Sequence, residues 1–322
     1  MANVLVTGGA GYVGSHACKA LAAAGHTPIT YDNLEHGHHG AVKWGPLEVG
    51  DILDTSRLTN VMGAYSPAAV MHFAALAMVS ESVSNPELYF KNNVEGTASL
   101  LDAMASAGIS RFVFSSSCAV YGTPEVVPIR ETEPKNPISP YGETKLQAEE
   151  MFAARSSTDG LSAISLRYFN AAGADPSGEI GEDHDPEPHL IPNVLAAAAS
   201  GTGLVVNGDA YATRDGTCVR DYVHVEDIAR AHVAALNLLG AAPGARSINL
   251  GTGNGYSVLQ IIRAAERVTG KSISYDIGPA RPGDPAELVA DATQAEAVLN
   301  WKPERSDIDT IVADAWNWMR TA

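Results

Sequence analysis

The chain has 322 residues, of which 45% are hydrophobic and 18% charged, and a formal net charge of -16. This balance suits a globular protein with a sizeable core, arranged as one large domain or two modest ones. The negative charge argues against nucleic acid or an anionic membrane as partner, since the summed field repels phosphate, so any phosphate-bearing ligand must be held by local positive features.

Met1 leads directly into the strand-like VLVTG, with no basic lead or cleavage pattern, and no apolar run reaches membrane-spanning length; a cytoplasmic protein is expected. Strand-like apolar runs then alternate with helix-like stretches: NVLVT, a helix at 15–24, PITYD, a helix at 55–65, AVMHFA, a helix at 88–107, RFVFSSS, a helix at 141–154 and LSAISLRYF. Short apolar strands separated by helices predict an α/β fold with a doubly wound parallel sheet covered on both faces. Past residue 170 the pattern loosens into Pro, Gly and acidic residues, followed by shorter elements and a closing helix at 308–319. The expected organisation is a Rossmann domain over 1–170, joined by 218–240, and a smaller, discontinuous substrate lobe within 171–322. In the closing helix, Ile311, Val312, Trp316 and Met319 form an apolar stripe that reads as core.

The opening VLVTGGAGYVGSH is a strand, a glycine turn and a helix start. Gly8, Gly11 and Gly14 allow a tight turn, close approach of a pyrophosphate to bare backbone and close helix packing, with the helix amino terminus facing the anion. Asp32 ends the next strand, where a carboxylate can bind both ribose hydroxyls and would repel a 2′-phosphate, which favours NAD over NADP. Ser115, Ser116 and Ser117 close a later strand. Tyr141 and Lys145, in SPYGETK, share one face of the following helix. A neighbouring ammonium, together with the positive charge of an oxidised nicotinamide, favours the phenolate, so Lys145 is expected to lower the pKa of Tyr141 and make it a base for a hydroxyl proton, with Ser117 bonded to the same hydroxyl.

Two histidine-rich stretches, EHGHHG (His36, His38, His39) and HDPEPH (His184, Asp185, Glu187, His189), lie in polar loop-like segments without the spacing of a zinc or iron site, so no metal is expected. Cys18, Cys118 and Cys218 form neither a disulfide framework nor a zinc pattern.

TGGAGYVGSH, HFAAL, NNVEGT, FSSSCAVYG, SPYGETK, RYFNAAGA, DGTCVRDYVHV, INLGTG and RPGDPAELVAD run in order through almost the whole chain. Together they resemble the extended short-chain dehydrogenase/reductase superfamily and, within it, the UDP-glucose 4-epimerase family. The resemblance implies a tightly held NAD, hydride removal from C4 of the sugar, a 4-keto intermediate that turns over, and return of hydride to its other face, so that UDP-galactose and UDP-glucose interconvert without net redox. It assigns Tyr141 as base, Lys145 as its modulator and Ser117 as a partner of the sugar hydroxyl. It puts Tyr12 and Val13 on the pyrophosphate, Asp32 and Asn33 on the adenosine ribose, Asp51 and Ile52 beside adenine, and Phe73, Ala74, Asn92 and Phe169 around the rest of the cofactor. Asn170, Leu190, Arg220, Arg281 and Asp284 fall to the nucleotide sugar; two guanidinium groups also make independent sense in an acidic protein that binds a diphosphate.

Two positions depart from the family pattern: Ala77 stands where a phosphate-holding lysine is usual, and Leu288 occupies the position that gates bulk near the sugar C2 substituent. The alternatives are epimerisation of a UDP-N-acetylhexosamine or a UDP-pentose. A nucleotide-sugar 4,6-dehydratase ranks lower, because its Asp-Glu pair is replaced here by Cys118 and Ala119, and a non-catalytic NAD-sensing protein would usually have lost Tyr141 or Lys145. Family likeness also suggests a homodimer built on the helices at 88–107 and 141–154.

Overall fold

The computed structural model describes residues 1–240, 242–281 and 283–321. The first half alternates β1 (Asn3–Thr7), α1 (Tyr12–Ala23), β2 (Thr27–Asp32), β3 (Leu47–Val49), α2 (Thr55–Tyr65), β4 (Ala69–His72), α3 (Val79–Ser84) and α4 (Pro86–Tyr89). A wide helical turn, Phe90–Glu95, runs into α5 (Gly96–Ser106), followed by β5 (Arg111–Ser117), α6 (Pro140–Thr158) and β6 (Ser162–Tyr168). The second half comprises β7 (Asn170–Ala172), α7 (Leu190–Ser200), β8 (Leu204–Asn207), β9 (Val219–His224), α8 (Val225–Leu238) and β10 (Gly244–Leu250). It closes with β11 (Gly255–Ser257), α9 (Val258–Thr269), β12 (Tyr275–Gly278), β13 (Glu287–Leu288), α10 (Thr293–Leu299) and α11 (Ile308–Thr321).

Seven strands form one parallel sheet in the order β10-β6-β5-β4-β1-β2-β3. Successive side chains on a strand point to opposite faces, and the strands here are apolar on both. Val4, Val6, Met71 and Val113 face α1 and α8 with Leu21, Ile228 and Ala235, whereas Leu5, Val70, Phe112 and Phe114 face α2, α5 and α6 with Leu58, Leu100 and Phe152. This double burial is why the strands read as continuous apolar runs.

Within the expected 218–240, α8 packs against the large sheet, but the strand before it does not join that sheet. There β9 belongs to a second sheet, with β11, β13 and β7, and the strand that extends the large sheet is β10. The first three residues of β10, Gly244, Ala245 and Arg246, are exposed and Ser247 is half-buried, so it lacks the apolar run that marks a buried strand.

The smaller lobe packs α7, α9 and α11 around Val194, Leu195, Ile261, Ile262, Ile311 and Val312, with Trp316 and Met319 against them. A segment between β7 and α7 straps this lobe to α1: Tyr12 donates to Gly173 O at 2.6 Å and Lys19 Nζ lies 2.6 Å from both Asp175 and Glu179. No helix among the described residues is long and apolar enough to cross a membrane.

Candidate active site

The sheet order reverses between β1 and β4, and in open α/β sheets ligands bind outside the carboxyl ends of the strands at such a point. A cavity of about 1590 Å³ opens there, and every cofactor and substrate residue named from the sequence lines it except Asp51. The Asp51 carboxylate instead accepts from Leu53 N at 2.8 Å, bracing its own loop, while its neighbours Gly50 and Ile52 form the wall.

The glycines of the first turn have separable reasons. A Cβ on Gly14 would stand 2.1 Å from Gly8 O, and Gly8 has φ +75 with Ala74 N 2.4 Å from where its Cβ would be. Both are fixed by packing inside the protein. On Gly11, the N-cap of α1, a Cβ would meet only Gly8 O at 3.5 Å. Packing therefore tolerates a side chain at Gly11, and the space it would fill is the cavity itself. That bare backbone at a helix amino terminus fits a pyrophosphate. Asp32, 7% exposed, accepts from Ala10 N at 3.0 Å and Leu34 N at 2.9 Å. Each carboxylate oxygen so keeps a lone pair for a ribose hydroxyl.

At the next wall, Ser139 caps α6 by accepting from Gly142 N at 3.2 Å, and Pro140 occupies the first turn. Ser and Pro favour these positions because one satisfies an orphan N–H and the other has none to lose. The cap starts the helix so that Tyr141 and Lys145 both line the cavity, opposite Ser117 at the end of β5. Lys145 is 3% exposed; its Nζ donates to Ser115 O at 2.8 Å and lies 5.7 Å from the Tyr141 ring centre.

The protein's own atoms do not by themselves make Tyr141 an anion. Burial pushes its phenol well up, nearby Tyr168 adds to this, and the nearby Ser117 hydroxyl pulls the other way. Burial also lowers Lys145 to about 7, against the field of Glu149. Both groups are driven toward their neutral forms because the same apolar surroundings disfavour either charge.

Behind this wall is a buried polar network that sequence reasoning missed. Glu149, one turn beyond Lys145, accepts from Ser116 Oγ at 2.6 Å, Ser247 Oγ at 3.0 Å and Arg167 Nε at 2.9 Å, and a second Arg167 nitrogen completes the fork. Arg167 also donates to Tyr121 at 2.8 Å, which donates to Asn249 at 2.7 Å. The only available signal was the middle serine of FSSS and an arginine inside an apolar strand.

The small lobe contributes Arg220 and Asp284, paired at 2.5 Å, together with Arg281, Asn170 and Leu190. Leu288 pairs with Arg220 across β13 and β9 and packs beside Cys118 and Phe169. Ala77 is exposed at the rim and offers no charge.

A doubly wound sheet with a glycine-turn cavity and a buried Tyr-Lys-Ser group defines the class of dinucleotide-dependent enzymes that move a proton at a substrate hydroxyl. Comparison with known proteins narrows it. Residues 4–251 match the NAD dependent epimerase/dehydratase family, and the chain belongs to that family. A relative from Lactobacillus helveticus named UDP-glucose 4-epimerase is 49% identical, covering 99% of this chain and 97% of the relative. The structure of UDP-glucose 4-epimerase from Brucella ovis in complex with NAD superposes with a TM-score of 0.95 at 51% identity, covering 98% of each chain. That of UDP-glucose-4-epimerase from Stenotrophomonas maltophila, with bound NAD and formylated UDP-arabinopyranose, gives 0.96 at 42% identity, covering 100% of this chain and 98% of the other.

Proposed function

We propose that the chain is an NAD-dependent isomerase that interconverts UDP-galactose and UDP-glucose by inverting C4. One observation carries the reading: the glycine turn, the buried Tyr-Lys-Ser group and the two arginines all line a single cavity, larger than the usual ~300–1,000 Å³ of a one-ligand site and roomy enough for a dinucleotide beside a nucleotide sugar. Gly8, Gly11, Tyr12, Val13 and Gly14 would hold the NAD pyrophosphate, Asp32 and Asn33 its ribose, and Ile52, Phe73, Ala74, Asn92 and Phe169 the rest. When bound, NAD accepts and returns a hydride, and the positive charge of its oxidised ring favours the phenolate that the protein alone does not.

Tyr141 takes the proton of the C4 hydroxyl as that carbon is oxidised, and gives it back after the 4-keto sugar has turned over. Ser117 bonds the same hydroxyl and holds it toward the phenol. Lys145, fixed by Ser115 O, supplies a tunable cation one helical turn away. Arg220 and Arg281 bind the substrate diphosphate, with Asp284 fixing the first guanidinium. A dehydratase needs an acid and a base directly after Ser117; Ala119 is neither, and burial pushes the Cys118 thiol up to about 12.

Incubation with UDP-galactose should yield UDP-glucose without added NAD turnover, and Tyr141→Phe should lower kcat by roughly 10²–10⁴, the usual span of acid–base catalysis. A Tyr141→Phe enzyme that inverts C4 at full rate defeats the assignment. With leucine at position 288, an intermediate in bulk, UDP-galactose should be preferred over its N-acetylated counterpart; equal rates would overturn that preference. The protein is proposed to act in the cytoplasm, in galactose metabolism, as a homodimer. Exposed Val83, Leu88 and Phe90, beside α6, support pairing with a second copy, and light scattering on the purified protein measures it.

A further inference from the structure

The segment between β7 and α7 gathers four side chains that play no part in the chemistry at Tyr141. Glu182, His184, Glu187 and His189 each offer one ligand atom, and those atoms lie within 4.8 Å of one another. His189 Nδ1 is 2.6 Å from Glu182 Oε1 and 2.9 Å from Glu187 Oε1; His184 Nδ1 is 3.3 Å from Glu182 Oε1 and 3.7 Å from Glu187 Oε2. Asp185, counted with this group in the sequence, is not among them.

Hydrogen bonding accounts for the cluster only in part, through His189 Nδ1 and Glu187 Oε1 at 2.9 Å. The Glu182 side chain is 7% exposed, and its Oε1, like His184 Nδ1, is sealed from solvent without a hydrogen bond of good geometry, although His189 Nδ1 lies 2.6 Å from that oxygen. Buried polar atoms without well-formed hydrogen bonds are costly, and a cation between these two satisfies both.

Spacing, charge and donor type agree on the kind of cation. Tetrahedral ligand atoms at about 2.1 Å from a zinc ion stand about 3.4 Å apart. The two His184 distances bracket that value, and the His189 contacts, at 2.6 and 2.9 Å, need to open by about 0.8 and about 0.5 Å. Two carboxylates neutralise a divalent ion, and neutral imidazoles complete a mixed nitrogen and oxygen set that suits zinc-class metals rather than magnesium or calcium. His189 is partly exposed, which leaves a way in. Regular spacing in sequence was absent because all four ligands come from one irregular loop, closed by its own turns and held by Trp318 Nε1 donating to Glu182 O at 2.9 Å.

We propose that Glu182, His184, Glu187 and His189 bind a divalent transition-metal ion of the zinc class, which ties the loop before α7 into one conformation at the edge of the cavity. The test uses full-length protein freed of metal by a chelator and then titrated with Co²⁺ alone. Visible d–d absorption of a tetrahedral ion should saturate at one ion per chain and be displaced by Zn²⁺. Glu182→Gln, and separately His184→Gln, should weaken binding by at least the ~10–100-fold that losing even an outer partner of a metal site costs. Circular dichroism checks each variant's fold, and Glu187→Gln replaces either one that fails to fold. His36→Ala with His39→Ala, in the other histidine-rich stretch, should leave the signal intact. Absence of d–d absorption in the unaltered protein, its survival in the Glu182→Gln and His184→Gln double variant, or its loss in the His36→Ala and His39→Ala variant overturns the proposal.

Discussion

At the scale of single residues, Gly11 and Gly14 should fail differently. Gly14→Ala drives a Cβ into the Gly8 carbonyl and should cost about 1–3 kcal/mol, as overpacking does, seen in a denaturant titration. Gly11→Ala meets no protein atom closer than 3.5 Å; its stability without cofactor should stay near that of the parent while NAD retention falls, measured by gel filtration and absorbance. Lys145 gives a pH signature. Burial lowers it to about 7, so between that pH and the free lysine value of ~10.4 the unfolded chain binds a proton that the folded chain does not. Stability therefore rises with pH across this window, the burial penalty being fully present below it. Lys145→Met should flatten the slope, as read from denaturation midpoints between pH 7 and 10.

At the scale of elements, α6 is positioned by more than its cap. Glu149 joins it to β5 through Ser116, to β6 through Arg167 and to β10 through Ser247. Tyr141 and Lys145, on the same helix, are aimed by that junction. Glu149→Gln would leave the Arg167 guanidinium buried with no opposite charge, a change that costs on the order of 3–5 kcal/mol. Chemical denaturation checks the loss. A Glu149→Gln protein as stable as its parent would mean that Arg167 finds another partner.

At the scale of the whole molecule, the two lobes meet where α8 begins. The helix packs on α1 of the large unit, while Asp227 in its first turn accepts from Glu304 N, Arg305 N and Ser306 Oγ of the loop before α11. Burial alone would raise this carboxyl, but the Ser306 hydroxyl, Arg230 and the backbone N–H groups hold it below its ordinary value. A depressed carboxyl contributes stability above its unfolded pKa of ~3.9 and loses it as pH falls through the folded value. Asp227→Asn should therefore destabilise the protein near neutrality by about 1–3 kcal/mol, the cost of degrading a buried hydrogen-bonded group, and the difference from the parent should shrink in acid unfolding below pH 4.

The parallel sheet, the glycine turn with Asp32, and the grouping of Tyr141, Lys145 and Ser117 were legible in the order of residues. These are local signals: double burial writes continuous apolar strands, a tight turn writes glycine, and a helical turn writes the spacing of the tyrosine and lysine. Folding was needed to show that β10 closes the sheet, that Asp51 braces its own loop and does not line the cavity, and that Glu149 and Arg167 hold α6. It likewise brought Glu182 into the cluster with His184, Glu187 and His189. Each of these depends on which distant or irregularly spaced residue arrives beside another, and on how much water is removed when it does. The clearest case is Lys145, whose charge looked fixed in the sequence and is governed by burial that no spacing can reveal.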